Sequence, residues 1–233
     1  MNKDLIFTAT YNEADNISTF LDSVLKIPNI DILIIDDNSP DRTGDIIKQY
    51  QNNNKNLFLV SRDGKEGLDS AHKIGFNFAK DKVYENLITL DADLSHDPNM
   101  IPLFLKTLED KPFVIGSRYI LGGKCLMKGS RLIMSKIGNK VIKFFSGINC
   151  NEFTTSYRGF NIEKLENFHL NNVKENGYSF FMGTLFEINK KKFAIKEIPI
   201  TFADREKGIS KIPKLEIFRT LKNLIVFIFK KNK

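Results

Sequence analysis

Five short apolar runs, each followed by residues at helical spacing, constrain the fold of this chain more than any other feature. They lie at residues 5–10, 32–35, 57–60, 87–90 and 113–116, and are rich in Ile, Leu, Val and Phe. Runs of four to six such residues are too short for helices and suit buried strands. Between them, residues 15–25, 44–50, 68–79 and 98–108 carry apolar side chains at helical spacing. Strands that alternate with helices long enough to cross a sheet face predict right-handed βαβ units and a mostly parallel sheet with helices on both faces. The expected fold class is therefore α/β.

In an open α/β sheet, ligands bind at the carboxyl ends of the strands, and four clusters of polar residues fall there. The first run ends in Thr10-Tyr11-Asn12-Glu13, the second in Asp36-Asp37-Asn38-Ser39-Pro40-Asp41, and the third leads to Arg62-Asp63-Gly64-Lys65-Glu66-Gly67. The fourth meets Asp91-Ala92-Asp93-Leu94, followed by the turn Ser95-His96-Asp97-Pro98. Two carboxylates two residues apart suit a hard cation, Mg²⁺ or Mn²⁺, that neutralises a diphosphate. Tyr11 is placed to stack on a base, and Glu13, Asp36 and Asp37 to accept from ribose or base. The structural alternatives are a first-turn helical position for Glu13 and a helix cap for Asp41.

Beyond residue 118 the pattern changes, and charge segregates. Residues 1–118 carry 13 basic and 19 acidic side chains, whereas residues 119–151 carry six basic and none acidic. Residues 190–233 carry 13 basic against four acidic. In residues 130–146, Ile133, Ile137, Val141, Phe144 and Phe145 share one helical face beside Lys136, Lys140 and Lys143. That pattern reads equally as a core-packed helix with a lysine edge or as a helix lying on an anionic membrane. A second basic amphipathic segment begins at Pro213; its apolar run 224–229 falls far short of the ~20 residues that cross a bilayer. A membrane surface, not nucleic acid, is the expected partner, because the basic stretches contain no nucleic-acid motif. The N-terminal residues lack an apolar leader, and Cys125 and Cys150 have no metal or redox spacing, so a cytoplasmic protein peripheral to a membrane is expected.

The succession Tyr11-Asn12-Glu13, Asp36 to Asp41, Asp91 to His96, Gly116-Ser117-Arg118-Tyr119 and Asp204-Arg205-Glu206-Lys207-Gly208-Ile209-Ser210-Lys211 resembles the dolichol-phosphate mannose synthases of glycosyltransferase family 2. The resemblance runs over roughly residues 4–216. It implies a GT-A fold and inverting transfer of mannose from GDP-mannose to a polyprenyl (dolichyl) phosphate, with Mg²⁺ or Mn²⁺. By position it makes Tyr11, Glu13, Asp36 and Asp37 donor-nucleotide residues and Asp91 and Asp93 metal and diphosphate residues. Arg205 and Lys211 become a cationic clamp on the diphosphate, and Arg118, Arg131 and Ser135 the acceptor-phosphate residues. Residues 1–211 would form the catalytic domain and 212–233 a membrane-associating segment; a small transmembrane partner is also admitted.

A lipid phosphate is already anionic at neutral pH, so the implied reaction needs no protein base. His72, His96 and His169 are not required in that role, and His96 is expected to support the acidic turn. The chain departs from the pattern in three places. Asp69 stands where a second glycine follows Gly67-Leu68, Phe180-Phe181-Met182-Gly183 replaces a Phe-Gln-x-Glu, and Glu152 replaces an Asp. The lost carboxylate at position 183 leaves two other readings open: transfer from a different sugar nucleotide such as UDP-glucose, or a membrane-associated nucleotide-binding protein without turnover.

Overall fold

The computed structural model describes residues 3–177, 179–203 and 223. All five predicted strands form: β1 (Asp4–Thr10), β2 (Ile30–Asp36), β3 (Leu57–Ser61), β4 (Asn86–Thr89) and β5 (Phe113–Ser117). The crossovers contain α1 (Ala14–Val24), α2 (Thr43–Gln51), α3 (Leu68–Asp81) and α4 (Ile101–Leu108), the last preceded by a 3₁₀ turn over Pro98–Met100. Proline at the start of that predicted helix tightens its first turn, since it lacks an N–H and fixes φ.

Four further strands complete the sheets: β6 (Lys124–Cys125), β7 (Arg158–Asn161), β8 (Ile195–Pro199) and β9 (Thr201–Phe202). The main sheet has the order β3-β2-β1-β4-β7-β5-β8, with β6 and β9 paired separately. Only β7 runs against its neighbours, pairing antiparallel with both β4 and β5. In β1, Leu5 and Phe7 pack into one core and Ile6 into the other, and β2 divides in the same way. The period-two alternation of strand side chains thus splits an almost fully apolar run between two layers. Helices α1, α2 and α4 cover one layer, and α3 lies over the other.

Helix α5 (Gly129–Ser146) and helix α6 (Ser179–Lys190) differ in kind. The first turns of α6 are buried on every side. Helix α5 buries only Asn139, Ile142 and Ser146, with Val141 half-buried, while Ile133, Met134, Ile137, Phe144 and Phe145 stand exposed. Of the two readings of its apolar face, core packing therefore fails for Ile133, Ile137, Phe144 and Phe145. A polar side chain, Asn139, secures the helix instead: its Oδ1 accepts from Phe153 N at 2.7 Å and its Nδ2 donates to Ser135 O at 2.9 Å. No helix among the described residues is long and apolar enough to cross a membrane.

Candidate active site

The carboxyl ends of β1, β2, β3 and β4 open onto one edge of the sheet, and the turns there are backbone-strained. Asn12, Asn38 and Leu94 have φ of 56°, 54° and 63°. Asn adopts this left-handed conformation readily, but Leu does not, so Leu94 holds the Asp91–Leu94 turn in a shape that the surroundings must enforce.

Asp36 proves to be a structural tie as well as an edge residue. Its carboxylate accepts from Thr10 Oγ1 at 2.8 Å and from Ser39 N and Oγ at 2.9 and 2.6 Å, locking the end of β1 to the turn after β2. Asp37 is buried against Arg62, whose Nε donates to its Oδ1 at 2.6 Å. Burial raises the Asp37 pKa, and the guanidinium opposes that rise. Arg62 also donates to Ser70 and to Gly67 O, so one side chain secures Asp37 and the start of α3. Glu13 takes the helix-start position of the structural alternative, and its Oε2 accepts from Asn16 Nδ2 at 2.8 Å. Asp41 joins two helix starts, accepting from Ala14 N at 2.9 Å and from Thr43 N at 3.1 Å. Tyr11 lies with the exposed Lys65 Nζ 4.8 Å from its ring centroid.

The acidic turn is braced from behind by His96. Asp91 N donates to His96 Nδ1 at 3.2 Å, which puts the imidazole proton on Nε2, facing Thr155 Oγ1 at 3.1 Å. Complete burial pushes the His96 pKa down, and the nearby carboxylates only partly offset this, so the ring is neutral. Asp91 Oδ1 accepts from Ser156 Oγ at 2.6 Å. Asp93 is 4% exposed and its Oδ1 accepts from Ser95 N and Oγ at 3.0 and 2.6 Å. Among the described residues, no group of three or more His, Cys, Asp or Glu is disposed to hold a metal. A pair of carboxylates still suits Mg²⁺ or Mn²⁺, which commonly bind one or two protein carboxylates and complete their shell with phosphate and water.

Arg118, at the end of β5, is gripped by Glu152. Nε and Nη2 donate to its two carboxylate oxygens at 2.7 Å each, and Nη2 also reaches Thr154 Oγ1 at 2.8 Å. Burial alone favours the neutral form of each group, but mutual attraction lowers the Glu152 pKa and raises that of Arg118. The guanidinium lies 5.1 and 4.9 Å from the ring centroids of Tyr119 and Phe202, and Tyr119 OH donates to Ser135 Oγ at 2.7 Å. Arg118 and Ser135 are thereby brought together; Arg131 lies one turn earlier on α5 and is exposed. A cavity of about 370 Å³ opens beside them, lined by Arg118, Lys136, Lys140 and Lys143 among others. Arg205 and Lys211 lie outside the described residues, as does the segment 212–233 apart from residue 223.

Sequence reasoning passed over the partners that hold this edge together. Thr155, Asn139 and Phe202 have no motif of their own, and their roles, like the hydrogen bond of Ser156 to Asp91, arise from contacts between residues far apart in the chain. Arg62 was within a recognised cluster, yet its pairing with Asp37 depends on β2 and β3 being neighbours.

A mostly parallel sheet with helices on both faces and an acidic turn after its fourth strand fits a glycosyltransferase of the GT-A type. More specifically, residues 5–168 match the model of Glycosyl transferase family 2, and the chain belongs to that family. An undecaprenyl-phosphate mannosyltransferase of Micrococcus luteus is 32% identical over 210 residues, covering 89% of this chain and 86% of the relative. A polyprenol monophosphomannose synthase of Mycolicibacterium smegmatis is also 32% identical, over 90% of this chain and 81% of its own length. The fold is shared with glucosyl-3-phosphoglycerate synthase of Mycobacterium tuberculosis, at TM-score 0.71 and 13% identity over 98% of this chain and 79% of the other. A mannosyltransferase of Pyrobaculum calidifontis, solved with GDP-Man and Mn²⁺, matches at TM-score 0.57 and 17% identity over 97% and 70%.

Proposed function

We propose that this glycosyltransferase moves mannose from GDP-mannose to a polyprenyl phosphate, with inversion at the anomeric carbon. The observation that carries the reading is the loop 152–156, which holds the acidic turn through Ser156 and Thr155 and holds Arg118 through Glu152 and Thr154. Donor-side carboxylates and a buried cation thus share one support, as suits a reaction between a diphosphate and a phosphate. The names of the two relatives at 32% identity support a mannosyl group as what is transferred and a polyprenyl phosphate as its acceptor.

In this reading Tyr11, Glu13, Asp36 and Asp37 orient the nucleoside, with Asp36 fixing the edge from which the others reach. Asp91 and Asp93 would hold Mg²⁺ or Mn²⁺, which, when bound, offsets the diphosphate charge and favours its departure. Arg118, Arg131 and Ser135 orient the acceptor phosphate, whose oxygen attacks without giving up a proton. Glu152 keeps Arg118 in place by Nε and Nη2; Nη1 makes no hydrogen bond to the described residues. Arg205 and Lys211 complete the hold on the diphosphate. Residues 1–211 form the catalytic body, and 212–233 associate with the cytoplasmic face of a membrane alongside α5.

Incubation with GDP-mannose, Mn²⁺ and a polyprenyl phosphate tests the reading. A lipid-linked mannose is the expected product. No product from GDP-mannose with either a long or a short prenyl chain overturns it, and product from UDP-glucose alone reassigns the donor.

A further inference from the structure

Two unusual positions in this chain, Asp69 and Gly183, meet in one feature of the structure. Helix α6 is buried around Gly183, yet glycine is the poorest helix former after proline, so its presence needs a cause. A Cβ at position 183 would lie only 2.3 Å from Glu175 Oε2 and 2.9 Å from Val173 Cγ1. The space is therefore taken by a carboxylate from the segment that leads into the helix. Asp69, in the first turn of α3, clips that segment: its Oδ1 accepts from Gly177 N at 2.9 Å.

The location is the site edge. Helix α6 leads into β8, which runs parallel to β5, so the start of α6 lies at the same edge as the ends of β1, β2 and β4. The start of α3 is held there by Arg62, which also holds Asp37. Glu175 is half-buried, and its carboxylate makes no hydrogen bond or ion pair with the described residues. Its carboxylate is thus held in one place by the Asp69 clip and the space that Gly183 leaves, with its acceptor oxygens unused among the described residues, as suits a hydrogen-bonding ligand.

We propose that Glu175 accepts hydrogen bonds from hydroxyl groups of the donor hexose, with Asp69 as the positioning residue that holds its loop. The proposal rests on the chain being a sugar-nucleotide transferase, but not on which sugar or nucleotide it uses. It gives Asp69 a role as the tether of the Glu175 loop and Gly183 a role as the space that the Glu175 carboxylate fills.

The test compares wild type, E175Q, E175A, D69A, G183E and the exchange E175A/G183E. In each, the thermal shift produced by a sugar nucleotide is measured against that of the bare nucleoside diphosphate, with Mn²⁺, over GDP-mannose, UDP-glucose and UDP-N-acetylglucosamine. For at least one sugar nucleotide, wild type should show a larger shift than the bare nucleotide, and E175Q and E175A should lose that excess while keeping the nucleotide shift. D69A should reduce the excess, G183E should lose it through collision with Glu175, and the exchange should recover at least half. Where transfer is measurable, E175Q should lower kcat by tenfold or more with unchanged melting temperature. An excess that is absent from wild type, that persists in E175Q, or that the exchange fails to recover overturns the proposal. If the excess belongs to a sugar other than mannose, the Glu175 contact stands and the mannose donor is excluded.

Discussion

Glu152 and Arg118 form a bidentate ion pair with no solvent access to the carboxylate: two 2.7 Å hydrogen bonds join them, and Glu152 is 0% exposed. Such a pair gives little net stability compared with an apolar pair of the same shape, because both charges lose their hydration. Its value lies in orientation. The loop bearing Glu152 continues through Thr155 and Ser156 to the acidic turn, so the pair fixes the distance between two halves of the site.

Removing one partner is predicted to cost far more than the pair contributes. E152Q leaves the Arg118 guanidinium buried with a neutral amide, a loss of about 3 kcal/mol in unfolding free energy. Denaturant titration at pH 7 checks this. E152D keeps the charge but shortens the reach, so it should cost less than E152Q and preserve part of the transfer activity.

The acidic turn should behave in the opposite way, with little effect on stability and a large effect on turnover. D91N and D93N are expected to lower transfer on the order of 100-fold, the scale of losing one group that stabilises developing charge. D93N should also disturb folding slightly, because Asp93 Oδ1 accepts from both Ser95 N and Ser95 Oγ. Melting temperature and initial rate, measured on one preparation of each variant, separate the two effects. Equal rates in D91N, D93N and wild type would remove the turn from the mechanism.

His72 predicts a pH dependence of stability. It is enclosed by the rings of Phe7, Phe180 and Phe181, with centroids at 5.0, 5.7 and 5.1 Å, and burial, aided by Arg158, drives its pKa down to about 3. In the unfolded chain it titrates near 6.5, so between pH 6.5 and 3 the unfolded state binds the extra proton. Stability therefore falls as pH drops through this window, and above pH 6.5 His72 contributes no slope. Replacing it with Phe should flatten the acid limb by up to about 1.4 kcal/mol per pH unit. Urea midpoints from pH 7 to pH 4 for wild type and H72F give the comparison; parallel curves would show that His72 is already charged in the fold.

How far the sequence revealed this architecture follows from its physics. The five parallel strands were legible because strands buried on both faces read as continuous apolar runs. Strand β7, Arg-Gly-Phe-Asn, was not, since its buried arginine and its glycine give it no strand-like pattern. Gly159 is required there by Leu108 and Ile88 side chains, which lie 3.0 and 3.1 Å from where a Cβ would stand. Arg158 is tolerated because its Nε donates to Thr155 O and its ring neighbours include Phe181 at 4.9 Å. At the site, the carboxylates after β1, β2 and β4 were visible because they follow apolar runs directly. Ser156, Asn139 and Glu175 act across long stretches of chain, and no local pattern marks such pairings.

Membrane attachment is predicted to depend on the exposed face of helix α5. Its exposed apolar side chains, Ile133, Ile137, Phe144 and Phe145, are 59%, 56%, 80% and 49% exposed, so replacing them removes little packing within the protein. Lys136, Lys140 and Lys143 lie along the same helix, and no acidic residue interrupts residues 119–151. An interfacial helix of this kind should bind vesicles through two additive contributions, apolar insertion and attraction to anionic headgroups. The double change I137S/F144S should abolish sedimentation with vesicles rich in phosphatidylglycerol while leaving the melting temperature within about 2 °C, as expected for exposed positions. Each Lys→Gln change should weaken binding by roughly fivefold, the equivalent of about 1 kcal/mol per basic residue near the surface. Raising salt from 0.05 to 0.5 M should erase the lysine effects, because screening shortens the reach of headgroup charge, and leave the effect of I137S/F144S intact. Vesicle binding that survives I137S/F144S at high salt would assign attachment to a different part of the chain.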